Sequence, residues 1–372
     1  MQSQPKVRVL VVDDSVVIRK ILADTLSADP AIEVVGSAQN GKIALAKISQ
    51  CQPDVITLDV EMPVMNGLET LAEIRKSYQK LPVIMFSTLT EAGAAATLDA
   101  LSLGASDYAT KPSNTGGPLV AISAVRSELI PKIKALCPAA TPRAIRPGPP
   151  RVAAPRPRSR TRLEIVAIGT STGGPNALAE LFPSFPKDFP VPIVTVQHMP
   201  PIFTRLLAER LSSRCHIPVE EGRDGGDLAP AHAWIAPGNY HMKVKRSTLH
   251  PHIELDQSPP EHSCRPAVDV LFRSVAEAYG PSALAVVMTG MGSDGVLGAQ
   301  RIREAGGEVL VQDEDSSVVW GMPGLTYAAG HADAVYSLQA LGPEITRRVL
   351  QSRAPQPLSE QRPYVLPETN AR

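Results

Sequence analysis

Residues 163–182 read LEIVAIGTSTGGPNALAELF: an apolar, β-branched run, a turn framed by Gly169 and by Gly173-Gly174-Pro175, and then a helical period. Strand, Gly-rich turn and helix with proline at its first position make the repeating unit of an open parallel sheet. The same unit recurs downstream. VPIVTVQ (191–197) is followed by a helical pattern, ALAVVMTG (283–290) by a helix from about Gly295, and GEVLVQ (307–312) and ADAVYSL (332–338) complete the series. Between them, residues 219–255 are rich in Gly, Pro and His and predict hairpins and loops. Upstream the alternation is as regular: VRVLVV (7–12) with a helix from Ser15, IEVVGS (32–37) with one after Gly41, and DVITLD (54–59) with one after Gly67. PVIMFS (82–87) precedes a helix from about Ala92, and DYAT (107–110) one from about Leu119. The expectation is two doubly wound α/β parallel-sheet domains, the first flavodoxin-like and the second Rossmann-like with a hairpin-rich insertion.

At 372 residues the chain accommodates two ordinary cores. The stretch 138–162, PAATPRAIRPGPPRVAAPRPRSRTR, has no acidic residue and no hydrophobic period, and reads as a stiff, solvated spacer. The division is therefore 1–137, a linker at 138–162, 163–351, and a disordered tail at 352–372. Thirty-seven basic and thirty-seven acidic residues cancel, which removes any global field for nucleic acid or an anionic membrane. The four cysteines, Cys51, Cys137, Cys215 and Cys264, form no CxxC pair, so neither a zinc knuckle nor a disulfide framework is expected. No apolar run is long enough to span a bilayer and no signal-peptide pattern is present, so a cytoplasmic protein is expected.

In an open α/β sheet, function gathers at the carboxyl ends of the strands. In the first domain that edge carries Asp13 and Asp14, Asp59, Ser87 with Thr88, and Lys111 before Pro112. Converging carboxylates repel one another unless a hard cation lies between them, and oxygen ligands of this kind suit Mg²⁺. A carboxylate beside Mg²⁺, an ammonium and a hydroxyl is suited to attack phosphorus, and Asp59 is the central candidate. The competing reading makes Asp13 and Asp14 helix caps and Lys111 a simple ion-pair partner.

In the second domain the turn after LEIVAIG exposes Ser171 of GTSTG at the sheet edge, beside the amide-rich end of a helix where an oxyanion is stabilised. A phosphate-cradling loop competes, but no Lys-Ser or Lys-Thr follows and the spacing is not GxGxxG. A serine nucleophile needs a base. His198 directly follows VPIVTVQ on the edge that carries Ser171, whereas His331 precedes its strand and falls on the opposite edge; His250, His252 and His262 lie in the irregular or polar middle. Asp294, after ALAVVM, is the orienting acid on the same edge. A trio of Ser171, Asp294 and His331 would restore the usual hydrolase order, against the edge argument.

The layout VVDDS, LDVEMPVMNG, FST and TKP resembles the response-regulator receiver family across residues 5–125. That resemblance implies an acyl phosphate on Asp59, Mg²⁺ held by Asp13 or Asp14, Asp59 and the backbone carbonyl of Glu61, and Lys111 on the phosphate. It further implies Ser87 as the hydroxyl that moves toward the phosphate and Tyr108 as the aromatic that changes packing with it. The segments GTSTGGP, VQHMPP, AWIAPGNYHM, CRPAVDVLF, TGMGSDG and VVWGMP resemble the catalytic domain of the chemotaxis protein-glutamate methylesterases, the CheB family, along 163–350. This implies a phosphorylation-activated serine esterase that hydrolyses glutamate methyl esters of chemoreceptors and deamidates particular glutamines. Ser171 would be its nucleophile, His198 its base and Asp294 the orienting carboxylate, with the backbone N–H of Met291 at the oxyanion site and no cofactor in the ester chemistry. The partners implied are methylated chemoreceptor cytoplasmic domains as substrate and a chemotaxis histidine kinase as phosphodonor, with no nucleic acid and no membrane insertion. A receiver joined to a DNA-binding module is a different class, disfavoured by the lack of a helix-turn-helix pattern and a basic helical face. A non-catalytic docking domain with an inert Ser171 also stays open.

Overall fold

A computed structural model describes residues 5–111, 122–123, 125–137, 161–246 and 250–353. The expected linker, except Thr161 and Arg162, and the tail beyond Arg353 lie outside the described residues, as does the start expected near Leu119 for the last helix of the first unit.

In the N-terminal unit strands and helices alternate as β1 (Val7–Val12), α1 (Val16–Ser27), β2 (Ile32–Ala38), α2 (Gly41–Cys51), β3 (Val55–Asp59), α3 (Gly67–Ser77), β4 (Val83–Ser87), α4 (Glu91–Ser102) and β5 (Asp107–Thr110). A wide turn at Val125–Leu129 then leads into α5 (Ile130–Leu136). Each of the first four helices begins where a side-chain oxygen can accept an orphan amide: Ser15 from Ile18, Asn40 from Ile43, Asn66 from Glu69 and Thr90 from Gly93. All five strands run parallel in the order β2-β1-β3-β4-β5. β3 and β4 are buried along their whole length, which is why they read as continuous apolar runs rather than alternating ones.

The second unit comprises β6 (Ile165–Thr170), α6 (Gly174–Leu181), β7 (Ile193–Gln197), α7 (Pro201–Ser212), β8 (Val219–Glu221), β9 (Ala233–Ile235), β10 (His241–Arg246), β11 (Pro251–Asp256) and α8 (Val268–Tyr279). It continues with β12 (Ala283–Val287), α9 (Val296–Glu304), β13 (Glu308–Gln312), α10 (Met322–Ala328), β14 (Ala334–Tyr336) and α11 (Leu338–Gln351). Seven strands form a wholly parallel sheet in the order β14-β13-β12-β6-β7-β9-β8. The chain winds outward in opposite directions from β6 and β12, so the crevice between them is the topological switch point. The middle stretch differs from expectation in part. Among the described residues only β10 and β11 form a hairpin there, whereas β8 and β9 extend the main sheet in parallel. The run Ala233-Trp234-Ile235 is buried, but three residues among Gly, Pro and His are too short to show a strand period.

The two units share one continuous apolar cluster. Tyr108 of β5 stacks on Phe203 of α7 with ring centroids 4.7 Å apart and planes 11° from parallel. Around that stack, Arg205 reaches Glu91 at 2.7 Å and Arg210 reaches Asp99 at 2.6 Å, both joining α7 to α4. These pairs are half-exposed and contribute little to affinity, so the aromatic stack is the main anchor. Removing it with Phe203→Ala is expected to cost about 3–5 kcal/mol of stability, because Phe203 is fully buried. Chemical denaturation of the full chain measures this, and a loss below about 1 kcal/mol contradicts the packing role.

Candidate active site

Thr170 of β6 is the register partner of Gln197 of β7, so the residues that follow them, Ser171 and His198, leave the sheet side by side. The turn after β6 is fixed from several directions. Ser171 N–H donates to Thr289 O at 3.0 Å, Gly174 N–H to Ser171 O at 2.8 Å, and Gln197 Nε2 to Ser171 O at 3.0 Å. Gly173 has φ 77°, in the left-handed region where a side chain is strained. A Cβ at Gly290 would lie 2.8 Å from Ser171 Cβ, so glycine there lets the Gly290–Met291 backbone pass against the serine. The N–H groups of Thr172 and Met291 donate to no group among the described residues.

Asp294 is 2% exposed, and both its oxygens are engaged. Oδ2 accepts from His198 Nε2 at 2.8 Å and Val268 N–H at 2.7 Å; Oδ1 accepts from Asp269 N–H at 2.8 Å and Gly295 N–H at 2.9 Å. Burial alone would raise its pKa, but the imidazole and the amides hold it below the usual carboxylate value. Burial alone would lower the pKa of His198, but the Asp294 carboxylate and then Cys264 against its ring raise it to about 10. An ionised carboxylate only accepts, so Nε2 carries the proton and the lone pair of the neutral ring is on Nδ1. Cys264 Sγ lies 3.5 Å from that Nδ1.

Of the expected trio, the structure thus joins His198 to Asp294 and sets Ser171 on the neighbouring strand end. It does not join Ser171 to the imidazole: among the described residues, Ser171 Oγ makes no hydrogen bond. The rival His331 stands before β14, which runs parallel to β13, and so lies at the amino edge away from Ser171. His250 and His252 belong to the β10–β11 hairpin region, and His262 bonds to Asp269 at 2.9 Å. The sequence alone gives Cys264 and Asp269 no role at the site. Their only signal was their place in CRPAVDVLF, and the long-range contacts that give them meaning span 66 and 25 residues.

At the other carboxyl edge, Asp13, Asp14 and Asp59 offer carboxylate oxygens that all lie within 4.8 Å of one another. The Lys111 ammonium sits 2.9 Å from Asp13 Oδ2 and 2.7 Å from Asp59 Oδ2. Burial, with Asp13 adding repulsion, outweighs Lys111 and pushes Asp59 up to about 6, while Lys111 is raised by the two carboxylates that flank it despite its own burial. Three acids against one ammonium is a donor set that fits a hard divalent cation. Asp14, Asp59, Val60, Glu61, Ser87, Thr88 and Lys111 line a cavity of about 160 Å³ at this place. Ser87 is buried and its Oγ donates to Gly93 O at 3.1 Å, while Tyr108 faces the second unit through its stack on Phe203.

Residues 166–345 match the family model for the CheB methylesterase and residues 9–122 that for the response regulator receiver domain. A protein-glutamate methylesterase/protein-glutamine glutaminase of Trichodesmium erythraeum is 55% identical over 350 residues, covering 93% of this chain and 99% of its own. One of a Nocardioides species is 51% identical, with 94% and 97% covered. The crystal structure of the Thermotoga maritima CheB methylesterase catalytic domain is 41% identical, covers 51% of this chain and 100% of its own, and superposes with a TM-score of 0.50. With a seven-stranded parallel sheet that sets a serine beside a histidine bonded to a buried aspartate, and a receiver-type acid pocket in front, this chain belongs to the protein-glutamate methylesterase/protein-glutamine glutaminase family.

Proposed function

We propose that Ser171 is the nucleophile of the esterase, His198 its base and Asp294 the carboxylate that orients the base. The observation that carries this reading is the 2.8 Å bond from His198 Nε2 to a buried Asp294, at the strand end next to Ser171. Because Nε2 is committed to Asp294, Nδ1 is the proton acceptor. In the reaction it exchanges its contact with Cys264 for the Ser171 hydroxyl. Ser171 Oγ then attacks the ester carbonyl of a methylated glutamate as its proton passes to Nδ1, and the oxyanion is held by the unengaged amides of Met291 and Thr172. The imidazolium returns the proton to the leaving methoxide, methanol departs, and water deprotonated by Nδ1 releases the carboxylate. With a glutamine side chain the same steps release ammonia.

The domain division 1–137, 138–162, 163–351 and 352–372 belongs to the same proposal. In the receiver, Asp59 is the phosphoryl acceptor and Lys111 the cation that holds the transferred group; Ser87 moves toward it. Asp13 or Asp14, Asp59 and the Glu61 carbonyl would hold Mg²⁺, which when bound supplies charge neutralisation for the phosphoryl group. Tyr108 reports the change through Phe203, which lies on α7, the helix that begins three residues after His198. The unphosphorylated receiver thereby covers the Ser171 edge, and phosphorylation releases it. The substrate is the cytoplasmic part of methylated chemoreceptors and the phosphodonor a chemotaxis histidine kinase.

Methanol release from methylated receptor membranes tests the assignment. Ser171→Ala is expected to lower the rate by at least about 10³-fold, and a rate equal to the parent's sinks the triad. The base must be neutral and its pKa is raised, so kcat/KM should climb with pH along a limb above the ordinary histidine value of 6.5. Asp294→Asn should shift that limb downward while cutting the plateau by about 10³- to 10⁴-fold. In the absence of phosphodonor, Tyr108→Ala should raise basal activity toward the phosphorylated level. Unchanged basal activity would count against coupling through the stack.

A further inference from the structure

Asp294 does not stand alone in the interior. Asp269, fully buried in the first turn of α8, accepts Gly298 N–H of α9 on its Oδ1 at 2.6 Å. Asp294, just before α9, accepts the N–H groups of Val268 and Asp269 at the start of α8. Each helix is thus capped by the carboxylate of the other, and the orientation of Asp294 depends on Asp269 holding α9 in place. Two buried carboxylates so close repel one another, and the pKa of Asp269 is raised by burial and also by Asp294. His262 meets this strain from the open side: its Nε2 lies 2.9 Å from Asp269 Oδ2, and the donor, Asp269 and Asp294 all fall within 4.8 Å of one another.

The turn that delivers His262 is itself held. Glu261 N–H donates to Cys264 O at 3.1 Å and Cys264 N–H to Glu261 O at 2.8 Å, while the Glu261 carboxylate is gripped by Arg273 of α8 at 3.0 and 2.5 Å. The same turn sets Cys264 Sγ against His198 Nδ1. The charged and titratable groups around His262 are therefore Asp269 and Arg273 on α8, Glu261 on its own turn, Asp294 before α9, and His198 beyond Asp294.

We propose that His262 and Asp269 form a second histidine–carboxylate pair that positions Asp294, and through it His198, for the ester reaction. This rests on the reading of Asp294 as the orienting carboxylate. His262 is a positioning residue that touches neither substrate nor nucleophile. Without its N–H, Asp269 Oδ2 is left buried and unpaired beside Asp294, and the cheapest relief is for one carboxylate to turn or take a proton. Either response disturbs the donors that aim Asp294 at His198.

The test uses the full chain with phosphodonor, assaying methanol release from methylated receptor membranes. His262→Ala should lower kcat by about ten- to a hundredfold, the scale of a small misplacement of catalytic groups, with KM within about twofold of the parent. His262→Gln, whose amide can still donate to Asp269, should recover most of the lost kcat. Melting curves accompany each variant; if alanine unfolds the protein, His262→Leu replaces it, filling the space without a donor. An unchanged kcat in the donor-less variant overturns the proposal, as does equal loss in the glutamine and donor-less variants. Ser171→Ala, run in parallel, reports separately on the triad: if it stays active, the reading beneath the proposal fails whatever His262 does.

Discussion

A carboxylate buried to 2% exposure can remain ionised only if its oxygens are fully engaged, and Asp294 meets that condition with three backbone amides and one imidazole. Those four donors come from the start of α8, the turn into α9 and the end of β7. One charge thereby fixes the relative position of two helices and the histidine. Since Ser171 and His198 leave adjacent strands in register, Asp294 sets the orientation of the imidazole relative to a serine whose location the sheet has already determined. The site sits at the switch point between β6 and β12 because only there do loops from both winding directions meet over one crevice.

The bond from Nε2, rather than Nδ1, to the carboxylate has a chemical consequence. In the neutral ring it leaves the lone pair on Nδ1, the nitrogen nearer the backbone, and that atom is in contact with the Cys264 thiol. Among the described residues the hydroxyl of Ser171 is uncommitted, and Nδ1 rests on a soft neighbour that binds it weakly. If Nδ1 is the proton acceptor proposed above, a strong partner in the place of Cys264 would have to be displaced at every turnover.

Much of this was legible in the sequence because parallel strands buried on both faces are written as unbroken apolar runs, and because the carboxyl edge of each is the next few letters. The edge rule puts Asp13, Asp59, Lys111, Ser171, His198 and Asp294 at the carboxyl ends of their strands, which is where the structure has them. The hidden parts are those that depend on distance in the chain. β9 escaped notice because Ala233-Trp234-Ile235 is too short for a period, and α8 appeared only as letters of a family-like segment. The pairing of His262 with Asp269 and the contact of Cys264 with His198 depend on a turn that closes on itself and on Arg273, none of which periodicity encodes. The uncommitted Ser171 hydroxyl was equally out of reach, since strand order gives neighbourhood but not rotamer.

The junction between the two units also follows from local needs. Tyr108 of β5 is buried, and its ring lies flat against Phe203 of the second unit instead of facing solvent. Lys132 lies 4.7 Å from the centre of the same ring and pairs with Asp107, so the tyrosine is clamped between a cation of its own unit and an aromatic of the other. Phe203 in turn belongs to α7, whose start follows His198 by only three residues. A change in how Tyr108 packs must therefore be absorbed by α7, by the Lys132 clamp, or by separation of the units. The ion pairs of Glu91 with Arg205 and Asp99 with Arg210 are too exposed to resist the last of these strongly, so what holds the units together is the aromatic stack and the apolar cluster around it.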